Sequence, residues 1–405
     1  MAGGSDASLG WSDLTIDLLI HIFGLLELPE ALAFRAVCPS WRSASTAAAG
    51  APRTCRSPWL VSLAMDSPRG EEQRHMQLDP SVSSHFSSLL DAKTARVKAV
   101  ALCGASHGWL IAANELSDLV LYDPFATTTI PLPPITTFFK CIEGVYGNDG
   151  NIEGYRHLFN DSINDVVSTG KNFYDKVVLS DSPSSSGAIV LLIHLEGKQL
   201  SFAKVGGRSW QQVFTIQTSS DSFADIVHHR GRFYAVTMKG MLVSLNYRGR
   251  HKPKRENIIT EYDNNSSDVV TRYLVSTPWG HLLQVRVILD TAKENYIRVE
   301  IDRLDLKGRR MVGLTPTESL QGHAVFVGQN SPYVLSTDEF PELRPDCIYF
   351  TTPRLRNEVT YQSRYNRWSG VKVYDLKKQK LEAALPSGGG YYRQTLPLEL
   401  WFTPS

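Results

Sequence analysis

From Trp59 almost to the C-terminus, short β-branched and aromatic runs alternate with Gly, Asp, Asn and Pro turns. No segment after residue 60 sustains a 3.6-residue period over three turns. This pattern excludes a helical domain and predicts an all-β one. Several runs share one plan. Residues 107–124 (HGWLIAANELSDLVLYDP) and 229–247 (HRGRFYAVTMKGMLVSLNY) each read as strand, turn, strand, and 194–213, 271–289, 297–314 and 371–385 repeat it. Gly108, Gly231 and Gly280 open comparable turns at separations of 123 and 49 residues. These gaps are compatible with units of about 40–50 residues, the size of a four-stranded propeller blade. A β-propeller-like domain of roughly five to seven blades is the expectation, with a pair of β-sandwiches as the alternative.

The first fifty residues have a different character. They are rich in Leu, Ala and Ile, and residues 12–49 hold no glycine except Gly24. Ser12 or Asp13 is placed to cap a first helix. Pro29 suits the first turn of a second helix over 29–37, and Pro39 that of a third over 39–48. In the first helix Leu14, Leu18, Ile22 and Leu25 form one apolar stripe, and Leu19, Phe23 and Leu26 a second beside it. A module of about forty residues sits near the limit of independent folding. Its apolar band is wider than one packing contact requires. The surplus is covered either by the β domain or by another protein.

Composition removes other classes. Of 405 residues, 42 are Lys or Arg and 41 Asp or Glu, a net charge of +1. Such balance exerts no global pull toward nucleic acid or an acidic membrane. The five cysteines (38, 55, 103, 141 and 347) are widely spaced and lack a CxxC pair, which predicts buried free thiols in a reducing compartment. The start MAGGSDASLG lacks the basic and apolar regions of a signal peptide. The longest strongly apolar run, 188–195, is far shorter than the roughly 20 residues a membrane helix needs. The expected location is cytoplasmic, nuclear or both.

Candidate chemistry is sparse. His228 and His229 are adjacent, so in a strand they face opposite sides and cannot readily chelate one metal. No HExxH, GxSxG or Walker-type loop occurs. GNDGNIEG (147–154) reads as a surface loop, and Asp221, Asp225, Asp302 and Asp305 are scattered among strands. No catalytic residue, metal or cofactor is predicted. Asp123-Pro124 is read as a turn after a strand. Gly108 and Gly328 are read as tight turns or close approaches. Trp109, Tyr122, Phe326, Tyr349 and Phe350 are read as core. The basic stretch 248–255 (RGRHKPKR) is a solvated inter-blade loop or, through Arg248, Arg250, Lys252, Lys254 and Arg255, a nuclear import signal.

Residues 12–45, SDLTIDLLIHIFGLLELPEALAFRAVCPSWRSAS, resemble the F-box. The resemblance rests on Leu14, Asp17-Leu18-Leu19, Ile22-Phe23, Leu26, Arg35, Val37-Cys38 and Trp41-Arg42. Thr15 stands where the family usually has proline. Residues 107–112, 119–135, 323–353 and 371–376 resemble the KIB-type domain of plant F-box proteins. These resemblances imply a mixed architecture: a three-helix F-box at 12–48, a linker at 49–60, and a KIB-type β-propeller-like domain at 61–400. They also imply a non-catalytic substrate receptor of an SCF-type ubiquitin ligase. A Skp-type adaptor, and through it a cullin–RING complex, would bind the F-box, and an unknown protein substrate the β domain. Leu14, Thr15, Leu18, Leu19, Ile22 and Leu26 would face the adaptor, with Val37, Cys38 and Trp41 completing or bracing the interface. The rival readings are a propeller enzyme and an F-box scaffold without ubiquitin transfer.

Overall fold

The computed structural model describes residues 10–26, 28–48, 58–61, 99–124, 128–138, 140–247, 253–260, 268–290, 296–351, 371–383 and 399–403. After a 3-10 turn at Trp11–Asp13 come three helices, α1 (Ile16–Gly24), α2 (Leu28–Val37) and α3 (Pro39–Ala47). Thr15, with extended backbone, is the N-cap of α1, so the helix starts later than a Ser12 or Asp13 cap implies. Pro39 opens α3, where its missing N–H costs no hydrogen bond.

β1 (Trp59–Val61) begins inside the stretch expected to be linker. Residues 49–57 of that linker lie outside the described residues. The first blade is β2–β5 (Ala99–Ser106, Trp109–Asn114, Leu119–Asp123, Thr128–Pro131). A smaller antiparallel sheet, β6–β8 (Ile142–Tyr146, Ile152–His157, Ser162–Asp165), and α4 (Val166–Asn172) intervene. The second blade is β9–β12 (Tyr174–Leu179, Ile189–His194, Gln199–Lys204, Gln211–Thr215). The third is β13–β16 (Phe223–His229, Arg232–Thr237, Leu242–Asn246, Lys254–Ile259). The fourth is β17–β20 (Val269–Ser276, Leu282–Asp290, Tyr296–Asp305, Arg310–Gly313). After α5 (Pro316–Ser319) the fifth is β21–β25 (His323–Val327, Tyr333–Ser336, Cys347–Phe350, Lys372–Asp375, Lys380–Ala383). β26 (Leu400–Phe402) pairs with β1, Trp59 opposite Phe402, as a sixth sheet built from the two ends of the domain.

The period-2 alternation of side chains closes these sheets into a ring. Val177 and Leu179 pack toward the first blade, and Val178 between them packs toward the third. Val227 and Tyr234 carry the third blade onto the fourth, through Leu274 and Leu282. Val275 and Val285 meet Val325 and Phe350 of the fifth. Leu60 and Trp401 face the fifth blade, while Trp59, Val61, Leu400 and Phe402 face Leu102, Leu110 and Val120 of the first. Each of these six sheets is thus covered on both sides by different neighbours, which a sandwich pair does not produce. The fold is a six-bladed propeller, within the expected range, and its sixth blade contributes two strands among the described residues.

Turn chemistry follows the sequence. His107-Gly108 and Arg230-Gly231 are two-residue hairpin turns with both residues at positive φ, the pair that matches strand twist. Gly328 is a close approach, since a Cβ there would lie 2.2 Å from Thr351 Oγ1. The segment Gly328–Ser331 ties the blades together. Lys176 Nζ donates to Gly328 O at 3.1 Å, and Gln329 Nε2 donates to Asp175 O at 3.2 Å. Ser331 N donates to Ala105 O at 2.8 Å, and Trp401 N to Asn330 Oδ1 at 3.4 Å. Lys176 also pairs with buried Asp225, whose Oδ2 accepts from Leu274 N at 2.7 Å. Every blade is reached by this buried polar belt.

Candidate functional site

The helical module divides its two apolar stripes between core and solvent. Leu19 and Phe23 turn inward, with Leu26 half-buried against the same core. They meet Ala31 and Phe34 of α2 and Ala44 of α3, and share one core with Trp59, Phe402 and Tyr122 of the propeller. The rings of Phe23 and Phe34 lie 5.3 Å apart, and those of Phe34 and Trp41 4.4 Å apart. Trp41 Nε1 donates to Trp11 O at 3.1 Å, and Arg42 Nε to Arg35 O at 3.2 Å. Arg35 is buried beside Asp123 and Tyr122; burial lowers its pKa and the Asp123 carboxylate opposes that. The module is therefore seated on the first and sixth blades.

Of the other stripe, Leu18 and Leu25 face outward, while Leu14 and Ile22 lean against the core. Leu18 is 45% exposed, and Leu25, Val37, Ile16 and Trp11 are also open to solvent. Thr15 is exposed, whereas Leu14, Ile22, Leu26, Cys38 and Trp41 are half-buried. Leu19, expected at the adaptor face, is 1% exposed and belongs to the interior. Its position is a correction: a 100° step per residue puts Leu18 and Leu19 on different sides of α1. Trp11, Ile16 and Leu25 join the outward surface. Leu25 was legible as the end of the Leu18–Ile22 stripe, but Trp11 precedes the helix and carries no periodic signal.

The remaining candidates resolve as structure. His228 Nε2 meets Tyr247 OH at 2.9 Å and His229 Nδ1 meets Ser276 Oγ at 2.8 Å, on opposite sides of β13. Gly147–Asn151 forms the β6–β7 turn. Asp302 is held by Arg286, with Nε to Oδ2 at 2.7 Å, and Asp305 accepts from the turn amides of Lys307 and Gly308, which holds its pKa down. Trp109, Tyr122, Phe326, Tyr349 and Phe350 are buried. Cys103, Cys141 and Cys347 are buried thiols outside any disulfide, and burial pushes the last two up to about 11; Cys55 lies outside the described residues. Among the described residues, no group of three His, Cys, Asp or Glu side chains could hold a metal, and no helix is long and apolar enough to cross a membrane.

The basic stretch is not an inter-blade loop. Lys254 and Arg255 begin β16, the fourth strand of the third blade, so the connection from β15 lies within that blade. Arg255 lies over the Phe214 ring, 4.2 Å from its centroid. Arg248, Arg250 and Lys252 lie outside the described residues.

A small helical module with an unspent apolar stripe, seated on a closed propeller, defines a docking protein. Two family models match the chain: the F-box domain over residues 11–47 and the KIB1-4 beta-propeller over 81–375. The chain belongs to the KIB1-4 beta-propeller family and is a plant F-box protein. It is 20% identical over 402 residues to F-box protein At1g10110 of Arabidopsis thaliana, covering 94% of each chain. It is 29% identical over 259 residues to F-box protein SKIP23 of the same plant, covering 58% of this chain and 56% of that one. The chain thus spans nearly all of the first relative and about half of the second.

Proposed function

We propose that this chain is the substrate-recognition subunit of an SCF-type ubiquitin ligase. Helices α1–α3 dock on a Skp-type adaptor, which tethers the chain to a cullin–RING complex, and the propeller holds the protein to be modified. The chain contributes proximity and orientation and no catalytic group. The observation that carries the reading is the outward stripe of α1 with its exposed neighbours Trp11, Ile16, Leu18, Leu25 and Val37. Leu14, Thr15, Ile22, Leu26, Cys38 and Trp41 border that surface, and Leu19 braces it from behind. The basic residues Arg248, Arg250, Lys252, Lys254 and Arg255 serve nuclear import, and a cytosolic reporter carrying residues 245–258 would refute that part.

The main test is co-purification of the full chain with a Skp-type adaptor. Replacing Leu18 and Leu25 by Asp places two charges on the exposed stripe, at side chains open to solvent, without entering the core. The double variant is expected to keep its thermal unfolding profile and lose the adaptor. An adaptor retained at wild-type affinity by the folded variant sinks the proposal.

A further inference from the structure

Large exposed apolar side chains are unevenly distributed over this molecule. Twelve occur among the described residues. Five belong to the helical module and one, Leu306, stands alone; the other six are Leu116, Tyr146, Leu158, Phe159, Ile163 and Val167. These six lie on the β6–β8 sheet, on α4, and on the β3–β4 tip that adjoins them. Concentrations of this kind on a soluble domain mark interaction surfaces, whereas scattered single residues need no explanation.

The sheet is an addition to the blade repeat, inserted between the first and second blades, and it is firmly held. Ile142, Tyr155 and Phe173 enter the core between those blades. Tyr155 OH donates to Leu116 O, and Ser117 Oγ to Val166 O. Asp165 caps α4 by accepting from Ser168 N at 2.8 Å. A Cβ on Gly170 of α4 would lie 2.6 Å from Val100 Cγ2, so helix and blade are in close contact. The inner side is therefore a fixed footing, and Phe159 (73% exposed) and Ile163 (56% exposed) project from a preorganised platform.

Charge selects the occupant. Glu143, Asp149, Glu153, Asp161 and Asp165 are exposed on or beside this sheet, against Lys140 and Arg156. Arg156 is already directed at Asp161, at 3.9 Å. The whole chain is nearly neutral, so the local excess of acid is a property of the insert. Position fits as well. The helical module meets β4 at Tyr122 and Asp123, while the insert meets the hairpin tip 115–118 at that strand's other end. A five-residue strand separates the two by roughly 15 Å. The two exposed surfaces are therefore anchored at opposite ends of β4.

We infer that the β6–β8 insert, with the adjoining Leu116 and Val167, is the substrate-docking surface, and that it takes a basic, apolar segment of the substrate protein. This rests on the substrate-receptor reading above. Apolar anchors supply the affinity, and the acidic surround supplies steering and discrimination against acidic segments.

The test pans a phage-displayed random dodecapeptide library on the full-length chain, without adaptor, and measures selected peptides by fluorescence anisotropy. Enrichment of peptides that combine Lys or Arg with aromatic or aliphatic residues is expected. Phe159→Asp with Ile163→Asp should weaken them about tenfold or more, and Glu143→Lys with Glu153→Lys should weaken basic peptides and strengthen acidic ones. Enriched peptides that are neutral or acidic, or affinities unchanged in both variants, would overturn the inference. So would concentration-dependent dimerisation lost in Phe159→Asp/Ile163→Asp, which assigns the face to a second copy. Adaptor co-purification, run in parallel, separates this outcome from the receptor reading. A chain that binds adaptor but loses no peptide in the variants keeps its function and rejects this surface.

Discussion

Leu18 and Leu19 are neighbours in sequence, and truncating each should break a different property. Leu19 is 1% exposed, in one core with Phe23 and Phe34. Leu19→Ala removes most of a buried side chain and leaves a cavity, a change that costs about 2–5 kcal/mol. Taking about 3 kcal/mol, opening of α1 becomes roughly a hundredfold more frequent, because each 1.4 kcal/mol is a factor of ten. Hydrogen exchange of the Leu19–Gly24 amides reads this directly, and it does so even where propeller unfolding masks the helix in a thermal scan. Leu18 is 45% exposed, so Leu18→Ala should change α1 protection by no more than about 0.5 kcal/mol. On the docking reading Leu18 is an interface anchor, and its truncation should weaken adaptor binding by about 2 kcal/mol, near thirtyfold, in a calorimetric titration. Equal loss of protection in the two variants, or unchanged adaptor affinity in Leu18→Ala, would refute the division of α1 into an inner and an outer stripe.

Thr15 has φ −65° and its side chain makes no capping hydrogen bond, while Leu14 before it is extended. Proline fits both angles, so Thr15→Pro should stabilise α1 by about 0.4–1 kcal/mol, seen as slower exchange of its amides. Trp401 is fully buried, with its ring 5.0 Å from that of Phe326. Trp401→Ala should cost about 3–5 kcal/mol in urea unfolding of the whole propeller, because the ring closes through this strand. His194 is completely buried, and burial alone drives its pKa down to about 3. Its ordinary value is near 6.5, so acid favours the unfolded chain. The stability it contributes is complete above pH 6.5 and is lost toward pH 3 at about 1.4 kcal/mol per unit. His107, His157 and His229 shift the same way, chiefly through burial. His194→Gln should therefore reduce the slope of unfolding free energy between about pH 6 and pH 4, and an unchanged slope would remove His194 from the account.

Much of this fold is legible locally. The hairpins at 107–108 and 230–231 carry glycine where the second turn residue needs positive φ, and the structure forms both. The strand–turn–strand segments each became paired strands because alternation records which side chains share a face. The β6–β8 insert was not legible: GNDGNIEG is recognisable as a turn, but its short strands carry Gly and charge rather than a strong apolar alternation. The same weakness concealed its exposed apolar side chains, since periodicity cannot tell a covered face from an open one.

By itself, the sequence determined the division into a helical module and an all-β domain, the helix starts at proline, the hairpin turns, and the spacing that marks the F-box. Those depend on neighbours within a few residues. The tertiary structure decided the rest. It set six blades, closed by pairing Trp59 with Phe402 across nearly the whole chain. It placed Gly328–Ser331 where the blades meet, and it turned Leu19 inward and Leu18 outward. Each of these depends on which distant surface covers a given face, and local pattern holds no record of that.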